Sequence, residues 1–279
     1  MNKKIGIIFA LVLVAFLVMG TASAGLFDIF GGDNSTNNAT GNDEDTFIVG
    51  FDAEFPPYGY KDDSGNYVGF DLDLAKEVCE RNNWTFKAQP IDWDAKDAEL
   101  DSGSIDCIWN GFTINGREND YCWSEPYIDN KQVVVVKSDA GIDSLDDLAG
   151  KTVETQKDSS ALAALQGDNK TLADTFATLT EVADYNTAFM DLESGACDAV
   201  AIDIGVAQYQ VSSKDNSGDY KILDDSISSE QYGIGFKKGN DALKDQVQKT
   251  LDEMFEDGTV AKIAENYSDS GVPGSLITK

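Results

Sequence analysis

Two arginines occur in the chain, and the second, Arg117, sits beside groups suited to recognising an anion. It closes the segment Ile105-Asp106-Cys107-Ile108-Trp109-Asn110-Gly111-Phe112-Thr113-Ile114-Asn115-Gly116-Arg117, an apolar run that passes into a polar turn. A planar guanidinium just past a strand end, beside a threonine hydroxyl and glycine backbone, can grip a carboxylate with two parallel hydrogen bonds. The formal net charge is -29, so the field of the whole chain repels anions and a local cation must attract them. The chemistry indicated is recognition of a small ligand that carries a carboxylate.

Other chemistries are excluded or weakened by composition. No histidine is present, which removes serine–histidine and cysteine–histidine nucleophile systems and histidine-based zinc sites. Carboxylates, lysine and tyrosine remain as catalytic groups, but the expectation of an enzyme falls. An isoelectric point near 4.1 argues against nucleic acid and against docking on anionic lipid, and fits a solvated surface. The four cysteines, Cys79, Cys107, Cys122 and Cys197, show no CxxC spacing, so no metal or redox motif is indicated. Export would permit disulfides, while the apolar runs around Cys107 and Cys197 fit buried free thiols equally well. With 279 residues and 42% hydrophobic content, the chain can build a packed core in one large domain or two.

The N-terminus carries Lys3 and Lys4, an uncharged run from Ile5 to Met19, and Ala22-Ser23-Ala24. This is the pattern of a secretory signal over residues 1–24, with cleavage after the small residues. Uncleaved, the run from Ile5 to Ala24 is roughly the 20 residues a bilayer requires, so a retained anchor stays open. Residues 25–45 are rich in Gly, Asn, Asp, Ser and Thr and read as a flexible linker, with a reach on the order of 25 Å. Sequons for glycosylation stand at Asn34 and Asn38.

Elements must position the candidate groups. Short apolar runs at 47–51, 85–88, 105–110, 133–137, 152–156, 199–203 and 231–236 predict strands. Helical spacing predicts helices at 71–82, 94–102, 159–165, 187–194 and, most clearly, 242–257, where Leu243, Val247, Leu251 and Met254 share a face. This alternation predicts an α/β fold with mostly parallel sheets covered by helices. In such sheets ligands bind beyond strand ends. The loops at 52–58, 110–117 and 156–161 and the strand-closing Asp203 are the candidates.

The same loops carry a resemblance. Phe51-Asp52-Ala53-Glu54-Phe55-Pro56-Pro57-Tyr58, Gly69-Phe70-Asp71-Leu72-Asp73-Leu74-Ala75, Ser124-Glu125-Pro126-Tyr127, Asp147-Leu148-Ala149-Gly150-Lys151 and Gln231-Tyr232-Gly233-Ile234-Gly235-Phe236 stand in one order around the Thr113 to Arg117 turn. Together they resemble the amino-acid-binding proteins of ABC importers, solute-binding protein family 3, from Thr46 to Tyr267. The resemblance implies a two-lobed periplasmic-binding-protein fold of type II with a hinge and an interlobe cleft. Lobe one would comprise 46–135 and 229–279, and lobe two 136–228. Closure of the cleft would bury the ligand and be recognised by a membrane partner.

Burying a zwitterion requires a partner for each charge. By resemblance, Arg117 takes the α-carboxylate with Thr113 and the Ser160 backbone N–H, and Asp203 takes the α-ammonium with the Gly111 carbonyl. Phe55 and Trp93 match positions that sandwich the side chain, and Asp52 and Gln156 match contacts at its far end, where Glu54 would add negative potential. From the residues alone, Asp203 and Ser160 could equally cap helices, and Phe55 and Trp93 could be core aromatics. Two departures stand out. Thr113 and Arg117 are four apart where the family commonly has five, a gap that Gly116 can bridge, and Asp158 stands where the family often has glycine.

The expectation is a monomeric, exported substrate-binding component of an ABC importer that captures a free L-amino acid, polar or cationic, and delivers it to permease and ATPase subunits. No catalysis, cofactor, metal or nucleic acid is expected. The alternatives are a periplasmic dehydratase on the same fold, with Glu54 or Asp52 as acid or base, and a ligand-sensing ectodomain with an uncleaved N-terminal anchor.

Overall fold

The computed structural model describes residues 46–214 and 217–277. The signal sequence, the linker and the sequons at Asn34 and Asn38 lie outside the described residues. Among the described residues no helix is long and apolar enough to cross a membrane.

The chain begins with β1 (Thr46–Phe51), a small antiparallel sheet of β2 (Glu54–Phe55), β3 (Gly59–Lys61) and β4 (Tyr67–Val68), then α1 (Phe70–Asn82) and β5 (Thr85–Pro90). A short turn at Trp93–Ala95 leads into α2 (Lys96–Ser102), β6 (Cys107–Thr113) and the two-residue β7 (Cys122–Trp123). The long β8 (Ile128–Lys137) follows. Next come β9 (Thr152–Gln156), α3 (Ser160–Gln166), α4 (Lys170–Ala173), β10 (Thr178–Val182), α5 (Tyr185–Ser194), β11 (Ala199–Asp203), α6 (Ile204–Ser212) and β12 (Tyr220–Ile222). The long β13 (Ser228–Phe236) and α7 (Asp241–Glu256) complete the main elements.

One sheet runs β10-β9-β11-β8-β13-β6-β1-β5, with β12 beside β8 and β7 beside β13. The flanks β5-β1-β6 and β10-β9-β11 are parallel, as the strand–helix alternation predicts. The middle is antiparallel, because β8 and β13 pair with each other and with their neighbours on either side in that sense. The chain thus builds one flank, passes to the other along β8, and returns along β13.

Local sequence explains the elements. All seven residues of β6 are buried, Asn110 and Thr113 included, so the strand extends past its apolar start. In α7 the buried Val247, Leu251 and Met254 repeat at helical spacing. Asp184 caps α5 by accepting from the Thr187 N–H, and Asn83 ends α1 in the left-handed conformation. Leu74, Val78, Val247 and Leu251 pack on one face of the first flank, while Leu100, Ile105 and Phe112 pack under α2 on the other. Val134, Val153, Ala161 and Leu165 fill the second flank beneath α3. Each such aliphatic side chain contributes about 1.5–3 kcal/mol of transfer free energy, so the rims of both flanks are rigidly held. Cys79, Cys107 and Cys197 are buried free thiols, and Cys122 is a partly exposed one.

Candidate functional site

The carboxyl-terminal ends of β1, β6, β9 and β11 open toward one cavity, lined by Phe55, Trp93, Asn110, Gly111, Thr113, Arg117, Gln156, Ser159, Ser160 and Asp203. Eight of the nine candidate residues therefore line it, and the ninth, Asp52, is tied to it through Gln156. The cavity measures only about 20 Å³, room for a water, so a ligand can enter only if its walls part.

Arg117 is held by a turn in which its N–H donates to the Ile114 carbonyl at 2.9 Å and Gly116 takes φ 81°. Glycine adopts that left-handed conformation freely, and it turns the chain between Thr113 and Arg117. The guanidinium donates to two backbone carbonyls, Thr113 at 3.4 Å and Asp158 at 3.2 Å, and lies over the Phe112 ring at 5.4 Å. Among the described residues it forms no ion pair. Its charge is thus available to a carboxylate.

Asp203 ends β11 and precedes α6. It occupies the cap position, yet its side chain makes no capping bond. Instead Oδ1 accepts from Asn130 Nδ2 at 2.7 Å, Gln132 Nε2 at 2.7 Å and Tyr232 OH at 2.6 Å. The other oxygen accepts none from the described residues, which leaves it to the cavity. Burial, followed by the charge of Glu230, pushes the Asp203 carboxyl up to about 7.

Gly111 takes φ 56°, and its N–H donates to the buried Asp71 at 2.5 Å. Tyr127 OH donates to the same carboxylate at 2.8 Å. Asp71 therefore orients the Gly111 peptide from the core side, and burial pushes its own carboxyl up to about 7. A side chain at Gly111 would stand 2.8 Å from the Phe55 ring, so the close approach requires glycine.

The aromatic positions are both core and cavity wall. Phe55 is buried against Tyr58 and Tyr185, with ring centroids 5.9 and 6.0 Å apart. Trp93 stands edge-on to Phe112 at 5.4 Å and donates its Nε1–H to the Asp158 carbonyl at 3.3 Å. Gln156 donates to Asp52 Oδ2 at 2.6 Å and to the Ala183 carbonyl at 3.1 Å. Burial raises the Asp52 carboxyl, and Asp184 and Asp92 add to the shift. Beyond this pair opens a groove of about 720 Å³, lined by Asp52, Glu54, Asp92, Asp94, Glu99, Glu181 and Asp184, with Lys157 its one cation. Glu54 is exposed and accepts from Asn186.

Three arrangements were not legible in the residues. Glu230 on β13 is buried and accepts from Thr113 Oγ1 at 2.7 Å, Asn130 Nδ2 at 2.8 Å, Gln132 Nε2 at 2.7 Å and Ser160 Oγ. The Thr113 hydroxyl, expected on a ligand carboxylate, thus serves a carboxylate of the protein. Ser159, not Ser160, caps α3, accepting from the Leu162 N–H at 3.1 Å. Asp158 tolerates φ 56° and pairs with Lys96, an ammonium only 2% exposed.

The model of bacterial extracellular solute-binding proteins, family 3, matches residues 47–270, and the chain belongs to that family. The chain is 29% identical to the L-cystine-binding protein TcyJ of Escherichia coli over 81% of its length and 84% of the relative's. Among solved structures it is similar to an ABC uptake transporter substrate-binding protein of Streptococcus pneumoniae with bound histidine (TM-score 0.77, 32% identity, 80% of this chain and 92% of that one). It is also similar to an ancestral arginine-binding protein bound to arginine (TM-score 0.73, 38% identity, 80% and 98% covered).

Proposed function

We propose that this family 3 solute-binding protein captures a free L-amino acid between two hinged lobes and presents it to an ABC permease with its ATPase. The observation that carries this reading is the convergence of Arg117 and Asp203 on one cavity, each with hydrogen-bonding capacity in reserve. A zwitterion needs a cation for its carboxylate and an anion for its ammonium, and a site that offers both can bury it at tolerable cost. Relatives that bind cystine, histidine and arginine support the same class of ligand.

The lobes are residues 46–135 with 229–279, and 136–228, joined by β8 and β13. Arg117, Thr113, Gly111, Phe55, Trp93 and Asp52 stand on the first, and Gln156, Ser160 and Asp203 on the second. The ligand then ties the two together, and closure is the state a permease reads. The acidic groove beyond Asp52 and Gln156 favours a polar or cationic side chain. The protein acts outside the cytoplasm as a monomer, by capture and not by conversion of its ligand.

Calorimetric titration with a panel of L-amino acids tests the proposal. Micromolar or tighter binding, about -8 kcal/mol or better, is expected of the wild type and not of Arg117→Ala. A wild type that binds no amino acid, or an Arg117→Ala variant that binds fully, contradicts it.

A further inference from the structure

We propose that Glu230 is the second carboxylate of the ammonium site and a determinant of its specificity. With Asp203 it forms a buried pair that makes a protonated amine the obligatory group of any ligand. The inference rests on the amino-acid-binding reading above and assigns a role to a residue outside the cavity's own lining.

The geometry is a bridge. Asn130 Nδ2 donates to Asp203 Oδ1 at 2.7 Å and to Glu230 Oε1 at 2.8 Å. Gln132 Nε2 donates to the same two oxygens at 2.7 Å each. The two carboxylates therefore lie within reach of single NH2 groups. Both amides sit on β8, Glu230 on β13 and Asp203 at the end of β11, so the pair is fixed where the connecting strands meet the second flank. The amides turn their donor ends to the carboxylates even though Asn130 Oδ1 and Gln132 Oε1 are left buried without a hydrogen-bond partner. That orientation is the response to concentrated negative charge.

Nothing positive from the described residues balances it. Every remaining donor to the pair is a neutral hydroxyl, from Thr113 and Ser160 to Glu230 and from Tyr232 to Asp203. No lysine or arginine among the described residues pairs with either carboxylate. The other titratable groups that act on the pair are Tyr58, Tyr185 and Tyr232, each held neutral by burial. Asp71 adds negative potential at Tyr58, and Arg117 is the cation among the residues that line the cavity.

A buried carboxyl this close to a second carboxylate does not ionise freely, so unliganded Asp203 retains a proton near neutrality. The upward shift of Asp203, caused by burial and then by Glu230, agrees with that. A ligand ammonium supplies the missing positive charge, and the retained proton leaves to solvent. Binding is then an exchange of an ammonium for a proton. A neutral, acylated amine cannot perform it, whereas loss of the ligand's carboxylate leaves this half of the site satisfied.

The test is calorimetric titration of L-arginine, L-lysine and Nα-acetyl-L-arginine into the full chain near pH 7. It is run in phosphate and in Tris, whose different ionisation enthalpies report protons released. The wild type is expected to release about half to one proton per amino acid bound, as a buried carboxyl pushed up to about 7 at Asp203 would. Glu230→Gln, which keeps size and one acceptor oxygen, is expected to release several-fold fewer. It should also discriminate at least tenfold less between arginine and its acetylated form. A folded Glu230→Gln with the wild-type proton count and discrimination overturns the inference alone. Wild-type titrations decide independently of the variant, since no proton release anywhere from about pH 6 to 8 also overturns it. A wild type that binds no amino acid overturns the functional reading and this inference with it.

Discussion

Arg117 and Asp158 meet through one hydrogen bond, from the guanidinium Nη2 to the backbone carbonyl oxygen at 3.2 Å. The first residue follows β6 on one flank of the sheet, and the second follows β9 on the other. Trp93 donates to the same carbonyl, and Lys96 pairs with the Asp158 carboxylate. Three groups of the first flank thus converge on one residue of the second, beside the cavity that Arg117 lines. The guanidinium bonds only neutral oxygens there, so its charge is available to a ligand.

Arg117→Ala should therefore abolish capture while sparing the fold. Loss of a charge-assisted pair with a buried carboxylate costs roughly 2–5 kcal/mol, or a weakening of affinity by about 30-fold or more. Thermal unfolding of the unliganded variant should stay within a few degrees of wild type, because the side chain is half-buried and unpaired by any acid among the described residues. Arg117→Lys should recover only part of the affinity, since an ammonium cannot present the two-pronged donor. Titration calorimetry beside differential scanning calorimetry checks both halves.

Lys96 gives a different prediction. It is 2% exposed, and its acidic partner Asp158 stands on the opposite flank. Asp158→Ala leaves that ammonium buried without its carboxylate, which destabilises the closed arrangement by roughly 3 kcal/mol. The expected result is a larger radius of gyration in solution scattering and an amino-acid affinity at least tenfold weaker. Asp158→Ala combined with Lys96→Met should restore much of the closure. An unchanged radius of gyration in the single variant would count against that role for the Lys96–Asp158 pair.

The pH dependence of stability follows from Asp71 and Asp203, both pushed up to about 7 by burial. Their ordinary value is 3.8, so between 3.8 and about 7 the folded chain binds more protons than the unfolded one. Stability from these groups is full below 3.8, falls as pH rises through that window, and is lost above about 7. Each contributes on the order of 1 kcal/mol or more. Asp257, held at about 2 by the Thr259 hydroxyl and Arg81, acts oppositely but only at lower pH. Denaturant unfolding of the unliganded protein should show lower stability at pH 8 than at pH 5. Asp71→Asn should flatten that slope.

Much of this was readable in the chain. Thr152–Gln156 and Ala199–Asp203 form strands with the bounds their apolar runs predict. The strand expected at 105–110 lies instead at Cys107–Thr113, because Gly111, Phe112 and Thr113 remain buried past the apolar run. β8 begins at Ile128, five residues before the valine run, since Asn130 and Gln132 alternate with exposed residues on a buried face. That alternation was the one signal for the polar bridge, and short-range pattern cannot tell a buried amide from a solvated one. Glu230 gave no signal, because its partners lie on three other elements, β6, β8 and α3. The strands of two or three residues, β2, β3, β4, β7 and β12, are shorter than any periodicity can register. β10, with its Thr-Leu-Thr-Glu-Val alternation, and α6, whose cap position carries no capping bond, were also missed.

The central claim is that one cleft holds both ends of a zwitterion. Its direct test is titration of the tightest-binding L-amino acid beside its Nα-acetylated and its carboxamide derivatives, at one pH near 7 and one salt concentration. Each capped form should bind at least about 100-fold more weakly, since each leaves Asp203 or Arg117 facing a neutral group. Equal binding of either capped form would contradict the account.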